Sequence, residues 1–133
     1  MTDQTLLPIF PRALGIVLEE VTPDLVVAAL ETVAEHGNRN GVMHGGAIMA
    51  FTDTLGGVAA AKNLAGGART TTLESKTNFL RPVPLGSRIT GRCVPLHKGR
   101  KTSIWQTTVL RADGKVAAIT TQTQMTLPPG GDD

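Results

Sequence analysis

Hydrophobic and polar positions alternate over most of this chain, and the alternation is interrupted once. From Leu14 to Val21, and again from Leu25 to Val33, β-branched and aliphatic residues recur in partly alternating order, which predicts two strands. Thr22-Pro23-Asp24 predicts the turn between them, with Pro at its favoured second position, and so short a link makes the pair an antiparallel hairpin. Residues 34–43, with two Gly and two Asn, predict a loop. The period then changes. Gly45 to Leu64 predicts a helix, with Ile48, Phe51, Leu55 and Val58 on its core face and Gly66-Gly67 as its cap. At ~1.5 Å per residue it spans about 30 Å, and its other faces are mostly Ala and Gly, which implies a helix nearly surrounded by protein.

Alternation returns after the helix. Strands are predicted over Arg69 to Leu80, Ser87 to Pro95, Thr102 to Arg111 and Val116 to Leu127. Ile89, Gly91 and Cys93 alternate with Arg88, Thr90 and Arg92, and Ala112-Asp113-Gly114-Lys115 is a hairpin turn signal. The order is β-β-α-β-β-β-β, an α+β layout in which a largely antiparallel sheet carries one central helix. Trp105 and the uncharged Thr/Gln faces are expected to meet a partner, so oligomers are expected. Residues 1–13, with Pro8 and Pro11, predict a short helical or irregular arm, and 128–133 a frayed tail. The 133 residues suit a single domain.

Composition narrows the function. The chain is 41% hydrophobic and 18% charged with a net charge of +2, which is globular; no basic run or aromatic platform points to nucleic acid. Cys93 is the one cysteine, so no intrachain disulfide forms, and a reducing cytoplasm is the expected home. The N-terminus lacks a basic n-region, and the longest apolar stretch, Ala47 to Ala61, is too short and too interrupted to span a bilayer. His36, His44 and His97 have no paired ligand spacing, so no metal site is expected.

The chemistry concentrates between Asn38 and Asp53. A polar segment runs into His44-Gly45-Gly46, and the apolar helix that follows carries one carboxylate, Asp53. A buried charge must be paired or neutralised, so an apolar helix has no structural use for a lone Asp. The alternative is a surface Asp paired with a basic residue, but its helical neighbours Met49 and Gly57 are uncharged. The first helical N–H groups lack intrahelical partners and attract developing negative charge. A carboxylate beside a groove of small residues acts as general base or nucleophile, and a backbone donor stabilises an oxyanion; hydrolysis of a thioester or ester needs both. Met49, Asp53, Gly57 and Ala60 are expected on one stripe, with the Gly and Ala leaving the groove. Yet Gly45 and Asp53 are separated by ~80° and ~12 Å along the helix, which favours a site completed across a dimer interface.

Asn38-x-x-Gly41-x-x-His44-Gly45-Gly46, then Asp53, then Thr72-x-Glu74-x-x-x-Asn78-Phe79-Leu80-Arg81-Pro82 resembles the hot-dog fold acyl-CoA thioesterases of the phenylacetic-acid-degradation type. The resemblance runs from about Leu14 to Leu127. It implies a sheet wrapped round the central helix, in homodimers that commonly pair into homotetramers. It implies Asp53 as the catalytic carboxylate, the Gly45 amide polarising the thioester carbonyl, Asn38 positioning water or carbonyl, His44 orienting the thioester end or the loop, and Thr72 holding the water. Asn38 and Gly45 would come from one subunit, Asp53 and Thr72 from the other. Gly46, Met49 and Gly57 would line the substrate groove. Arg81, Lys98, Arg100 and Lys101 are the candidates for the coenzyme A phosphates, although Lys98 to Lys101 also fit a solvated turn. No cofactor is implied, since coenzyme A is part of the substrate.

The expected activity is hydrolysis of a small aromatic or short/medium-chain acyl-CoA. Met49, Phe51 and Gly57 are expected near the acyl group. Two other functions fit the same fold: hydration or dehydration of acyl thioesters, and non-catalytic acyl-CoA binding. The first pairs a His base with an acid near the helix, and here His44 precedes two glycines.

Overall fold

A computed structural model describes residues 2–130; the last three residues of the expected tail at 128–133 lie outside them. After a 3-10 turn at Gln4–Leu6, the elements are α1 (Ile9–Leu14), β1 (Ile16–Thr22), β2 (Leu25–Glu31), a 3-10 turn at Ala34–His36, α2 (Gly45–Ala61), β3 (Arg69–Phe79), β4 (Arg88–Lys98), β5 (Thr102–Leu110) and β6 (Val116–Leu127). The strands form one antiparallel sheet in the order β1-β2-β4-β5-β6-β3. This is the hot-dog arrangement, with α2 lying on one face of the sheet. Among the described residues, no helix is long and apolar enough to cross a membrane.

The topology decides where the site falls. The chain leaves β2, crosses the sheet as α2 and returns as β3 at the far edge, paired only with β6. β3 is therefore an edge strand, with no strand on its outer side among the described residues. Leu73 and Phe79 on that strand stay half-exposed. The opposite edge, β1, is partly covered by the N-terminal arm, whose Gln4 side chain donates to Leu18 O (2.8 Å) and accepts from Leu18 N (2.8 Å).

The core sits between α2 and the sheet. Ile48, Phe51, Leu55 and Ala59 face Val26, Ala28, Ile89, Cys93 and Val109, all buried. Burying a side chain of the size of Phe51 or Leu55 contributes ~1.5–3 kcal/mol. Close approach depends on Gly91: a Cβ there would stand 2.7 Å from both Leu55 and Phe51. The expected alternation of β4 holds, with Ile89, Gly91 and Cys93 buried and Arg88 and Arg92 exposed. At the Ala112–Lys115 turn, Gly114 takes φ +83. There the Arg111 side chain and the Lys115 N–H hold the Asp113 carboxyl down to about 2.

Four expectations are corrected. The helix ends at Ala61, three residues early, and its cap is Lys62 and not Gly66-Gly67. Asn63 explains the early stop: its Nδ2 donates to Ala59 O (2.9 Å) and to Pro23 O (2.9 Å), satisfying a terminal helix carbonyl and tying it to the β1–β2 turn. Gly67, at φ +80, turns the chain toward β3. Trp105 is not partner territory: it is 0% exposed in the core, with its indole Nε1 donating to Ser103 Oγ (2.8 Å). The Gln residues of β6 are not on an outer face either. Gln122 and Gln124 continue the inward register of Ala118 and Thr120 and are buried under α2. Finally, Phe51 and Ala60 are buried in the core and do not line the groove beside Asp53, because the helix turns them toward the sheet.

Candidate active site

Two half-sites lie along α2. The first is its N-terminus. The loop before the helix is pinned by Met43 N donating to Val83 O (2.9 Å) and His44 N donating to His36 O (2.8 Å). His36 is itself buried and clamped. Its Nδ1 accepts from Val33 N (3.1 Å), which puts the ring proton on Nε2, where it is donated to Leu14 O (2.8 Å).

His44 is the N-cap. Its Nδ1 accepts from Gly46 N (2.8 Å), and its carbonyl accepts from Ala47 N (2.9 Å) and Ile48 N (3.2 Å). The first-turn N–H left over is that of Gly45, which has no partner among the described residues. Gly45 faces the ring of Phe79, which a Cβ would approach to 3.2 Å. Asn38 is a turn residue: its Oδ1 accepts from Asn40 N (2.8 Å) and Val42 N (3.4 Å). Asn38, Gly45, Phe79, Leu80 and Arg81 line a cavity of about 300 Å³. The Arg81 guanidinium donates to Val116 O (2.7 Å).

The second half-site is built on Asp53. Its carboxylate is exposed and forms no ion pair among the described residues. Oδ1 accepts from Gln122 Nε2 (3.1 Å) and lies 2.7 Å from Thr72 Oγ1. Thr72 Oγ1 also lies 2.6 Å from Gln124 Oε1, so its single proton serves one of two acceptors. Gln124 Oε1 accepts from Gln122 Nε2 (2.9 Å), and Gln124 Nε2 donates to Thr70 Oγ1 (3.0 Å). Asp53 Oδ2 accepts no hydrogen bond from the described residues. The carboxylate lines a cavity of about 490 Å³ whose apolar walls include Leu6, Phe10, Pro11, Ala50, Gly57, Val58 and Ala61.

The structure thus brings Asp53, Thr72 and Gly57 together, and separately Asn38, Gly45 and Arg81. Met49 is half-buried and lines neither cavity; the groove beside Asp53 is formed by Ala50, Gly57 and Ala61 instead. Gly46 spends its N–H on the cap. Lys98 and Arg100 stand near the C-terminal end of α2, lining a third cavity with Asn63 and Leu64. Lys98 is ion-paired there with Asp24 and donates to Asn63 Oδ1 (3.0 Å). Lys101 is exposed and lines none of these three cavities.

The sequence reading passed over Gln122, Gln124 and the arm residues Leu6 and Phe10. The glutamines had a signal, since two large amides at inward positions of a strand need a buried polar partner. The arm residues had none, because their place beside Asp53 depends on how α1 packs.

Known proteins share this architecture. A family model for the thioesterase superfamily matches residues 40–118. The proofreading thioesterase EntH of Klebsiella pneumoniae is 31% identical over 102 residues, covering 77% of this chain and 74% of the relative. A solved thioesterase from Haemophilus influenzae superposes with a TM-score of 0.85 at 26% identity, covering 91% of this chain and 84% of that one. A variant of the phenylacetic acid degradation protein PaaI from Thermus thermophilus gives 0.81 at 28% identity, covering 87% and 96%.

Proposed function

The chain belongs to the thioesterase superfamily and is a hydrolase of thioesters with the hot-dog fold, and from that premise we propose that it cleaves a small aromatic or short/medium-chain acyl-CoA at a site shared by two subunits. The observation that carries the reading is the Asp53 carboxylate: one oxygen is held by neighbours, the other accepts no hydrogen bond from the described residues, and the residue lines a cavity with largely apolar walls. The Gly45 N–H, the one first-turn donor left over among the described residues, donates to the thioester carbonyl oxygen and stabilises the negative charge that grows on it. Asp53 Oδ2 takes the proton from an attacking water, or itself attacks the carbonyl carbon to give, once the thiolate has left, an acyl-aspartyl anhydride that a water then hydrolyses to free acid and regenerated carboxylate. The tetrahedral intermediate then expels the coenzyme A thiolate, which leaves with little acid help. Thr72 holds the water or the carboxylate, and Asn38 and His44 keep the loop and helix start in place. No cofactor enters this chemistry.

A dimer puts the two halves together. On β3, Thr72 meets Asp53 while Phe79 meets Gly45, seven positions further along. If two β3 edges pair antiparallel about a twofold near Ser75 and Lys76, Thr72 of one copy lies opposite Phe79 of the other. The carboxylate of one subunit then faces the free amide of its partner. Arg81, beside that amide, is the basic residue placed for the coenzyme A end; Lys98 and Arg100 are placed beside neither half-site. The arm residues Leu6 and Phe10 wall the acyl side. The Thermus relative is a phenylacetic acid degradation protein, which supports an aromatic acyl group here.

A thiol-release screen over aryl- and alkyl-CoA substrates tests the assignment. Hydrolysis of at least one, abolished in Asp53→Asn, is the expected result. An enoyl product without thiol release, or tight binding without turnover, would sink it.

A further inference from the structure

We propose that Gln122 is a positioning residue that fixes which oxygen of Asp53 is free to react, and that Gly56 exists to let it do so. The inference rests on the catalytic reading of Asp53 given above. Gln122 starts on β6, in the sheet, while Asp53 sits on the cavity side of α2. For the amide to reach that carboxylate it must pass the helix, and it passes at Gly56. A Cβ on residue 56 would stand 2.1 Å from Gln122 Cδ, 2.3 Å from Oε1 and 2.4 Å from Nε2. No side chain larger than hydrogen fits there while Gln122 keeps this position. An alanine would be the better helix former at this position, so the glycine costs helix stability that the passage of the amide explains.

The orientation of the amide follows from its surroundings. Nε2 faces acceptors on two residues, Oδ1 (3.1 Å) and the backbone oxygen (3.4 Å) of Asp53 and Oε1 of Gln124 (2.9 Å). Turning the amide over would set its oxygen against both, so the NH2 group points at the carboxylate. Gln124 in turn is anchored by Thr70. The cost of this arrangement is visible at the other end of the group: Gln122 Oε1 is buried without a hydrogen-bond partner among the described residues. A fully buried glutamine with an orphan oxygen is a poor choice for stability alone. Its reward is a donor locked onto Oδ1, which leaves Oδ2 as the reactive oxygen and restrains the χ angles of an otherwise exposed side chain.

The test is steady-state thioester hydrolysis by Gln122→Leu, Gly56→Ala and the double variant Gly56→Ala/Gln122→Ala, with Asp53→Asn in the same assay. The expected result for Gln122→Leu is a fall in kcat of about 10–100-fold with KM within about twofold of wild type, since a donor to a charged group is lost and no substrate contact is. Gly56→Ala is expected to lose about as much, because the Cβ displaces the amide. The double variant is expected to be no worse than Gly56→Ala alone, as both changes remove one interaction. Wild-type kcat in Gln122→Leu overturns the proposal, as do losses at 56 and 122 that multiply. So does a loss in Gln122→Leu that comes with a changed oligomer or lost near-UV circular dichroism, which would make the residue merely structural. If Gly56→Ala does not fold, Gln122→Leu alone decides. Full activity in Asp53→Asn would bring down the reading of Asp53 itself; an inactive Asp53→Asn beside a fully active Gln122→Leu would bring down this inference only.

Discussion

Gly45 and Asp53 lie on the same helix and open into different cavities. Gly45 lines its cavity with Phe79 and Arg81; Asp53 lines the other with Thr72 and the N-terminal arm. A rigid helix fixes this separation, so neither group can swing to meet the other within one chain.

Replacing Asp53 by Asn or Ala is expected to lower kcat by about 10²–10⁴-fold, the contribution of a positioned proton acceptor. The side chain is exposed, so thermal melting should shift little. Rates within twofold of wild type for both variants would remove Asp53 from the mechanism.

Gly45→Pro deletes the N–H that has no partner among the described residues. Proline is tolerated at the first helical position, and His44 already holds the extended backbone (φ −63, ψ 136) that a following proline requires. A loss of about 10²–10³-fold in kcat is expected. Gly45→Ala keeps the N–H and places a comparable Cβ against Phe79, so it separates the amide from the crowding. Equal losses in the two variants would assign the effect to Phe79 and not to the donor.

Complementation tests whether the site is shared. Asp53→Asn and Gly45→Pro are each expected to be inactive alone. When the two are unfolded and refolded together in equal amounts, half of the dimers carry both variants, and each of these holds one intact site. Recovery of about a quarter of wild-type activity is expected. No recovery, in a mixture shown to contain heterodimers, would place both groups of each site on one chain.

Cys93 is 0% exposed on β4, and burial pushes its thiol up to about 11. The native protein is therefore expected to be inert to a thiol-selective disulfide reagent at pH 8 and to titrate one thiol only in denaturant. Rapid native labelling would show that the sheet face under α2 opens.

The Asp113 carboxyl is held below its ordinary value by the Arg111 side chain, so the folded state favours its ionised form. The stabilisation is present above the unfolded value near 3.8 and is lost as pH falls toward about 2. The stability difference between wild type and Asp113→Asn, followed by urea titration, should shrink over that interval. A difference that stays constant from pH 5 to pH 2 would contradict it.

By itself the sequence determined the element order, because alternation with period 2 and the one stretch with period 3.6 are imposed by burial of one face in each element. It placed β3, β5 and β6 within one or two residues of where they run, and it singled out Asp53 because a lone carboxylate on an apolar helix has no structural use. The separation of Gly45 from Asp53 was also legible, since helical rise is fixed. The three-dimensional packing decided the rest. Where α2 ends was set by Asn63 reaching the β1–β2 turn, a contact 40 residues apart in the chain. The place of Trp105 was set by which face of β5 meets the helix, which alternation alone leaves undecided. The amide donor to Asp53, Gln122, came from β6, 69 residues away, through an opening at Gly56. Local pattern reports which face of an element is apolar; which residue lies across from it is settled only when the sheet closes on the helix.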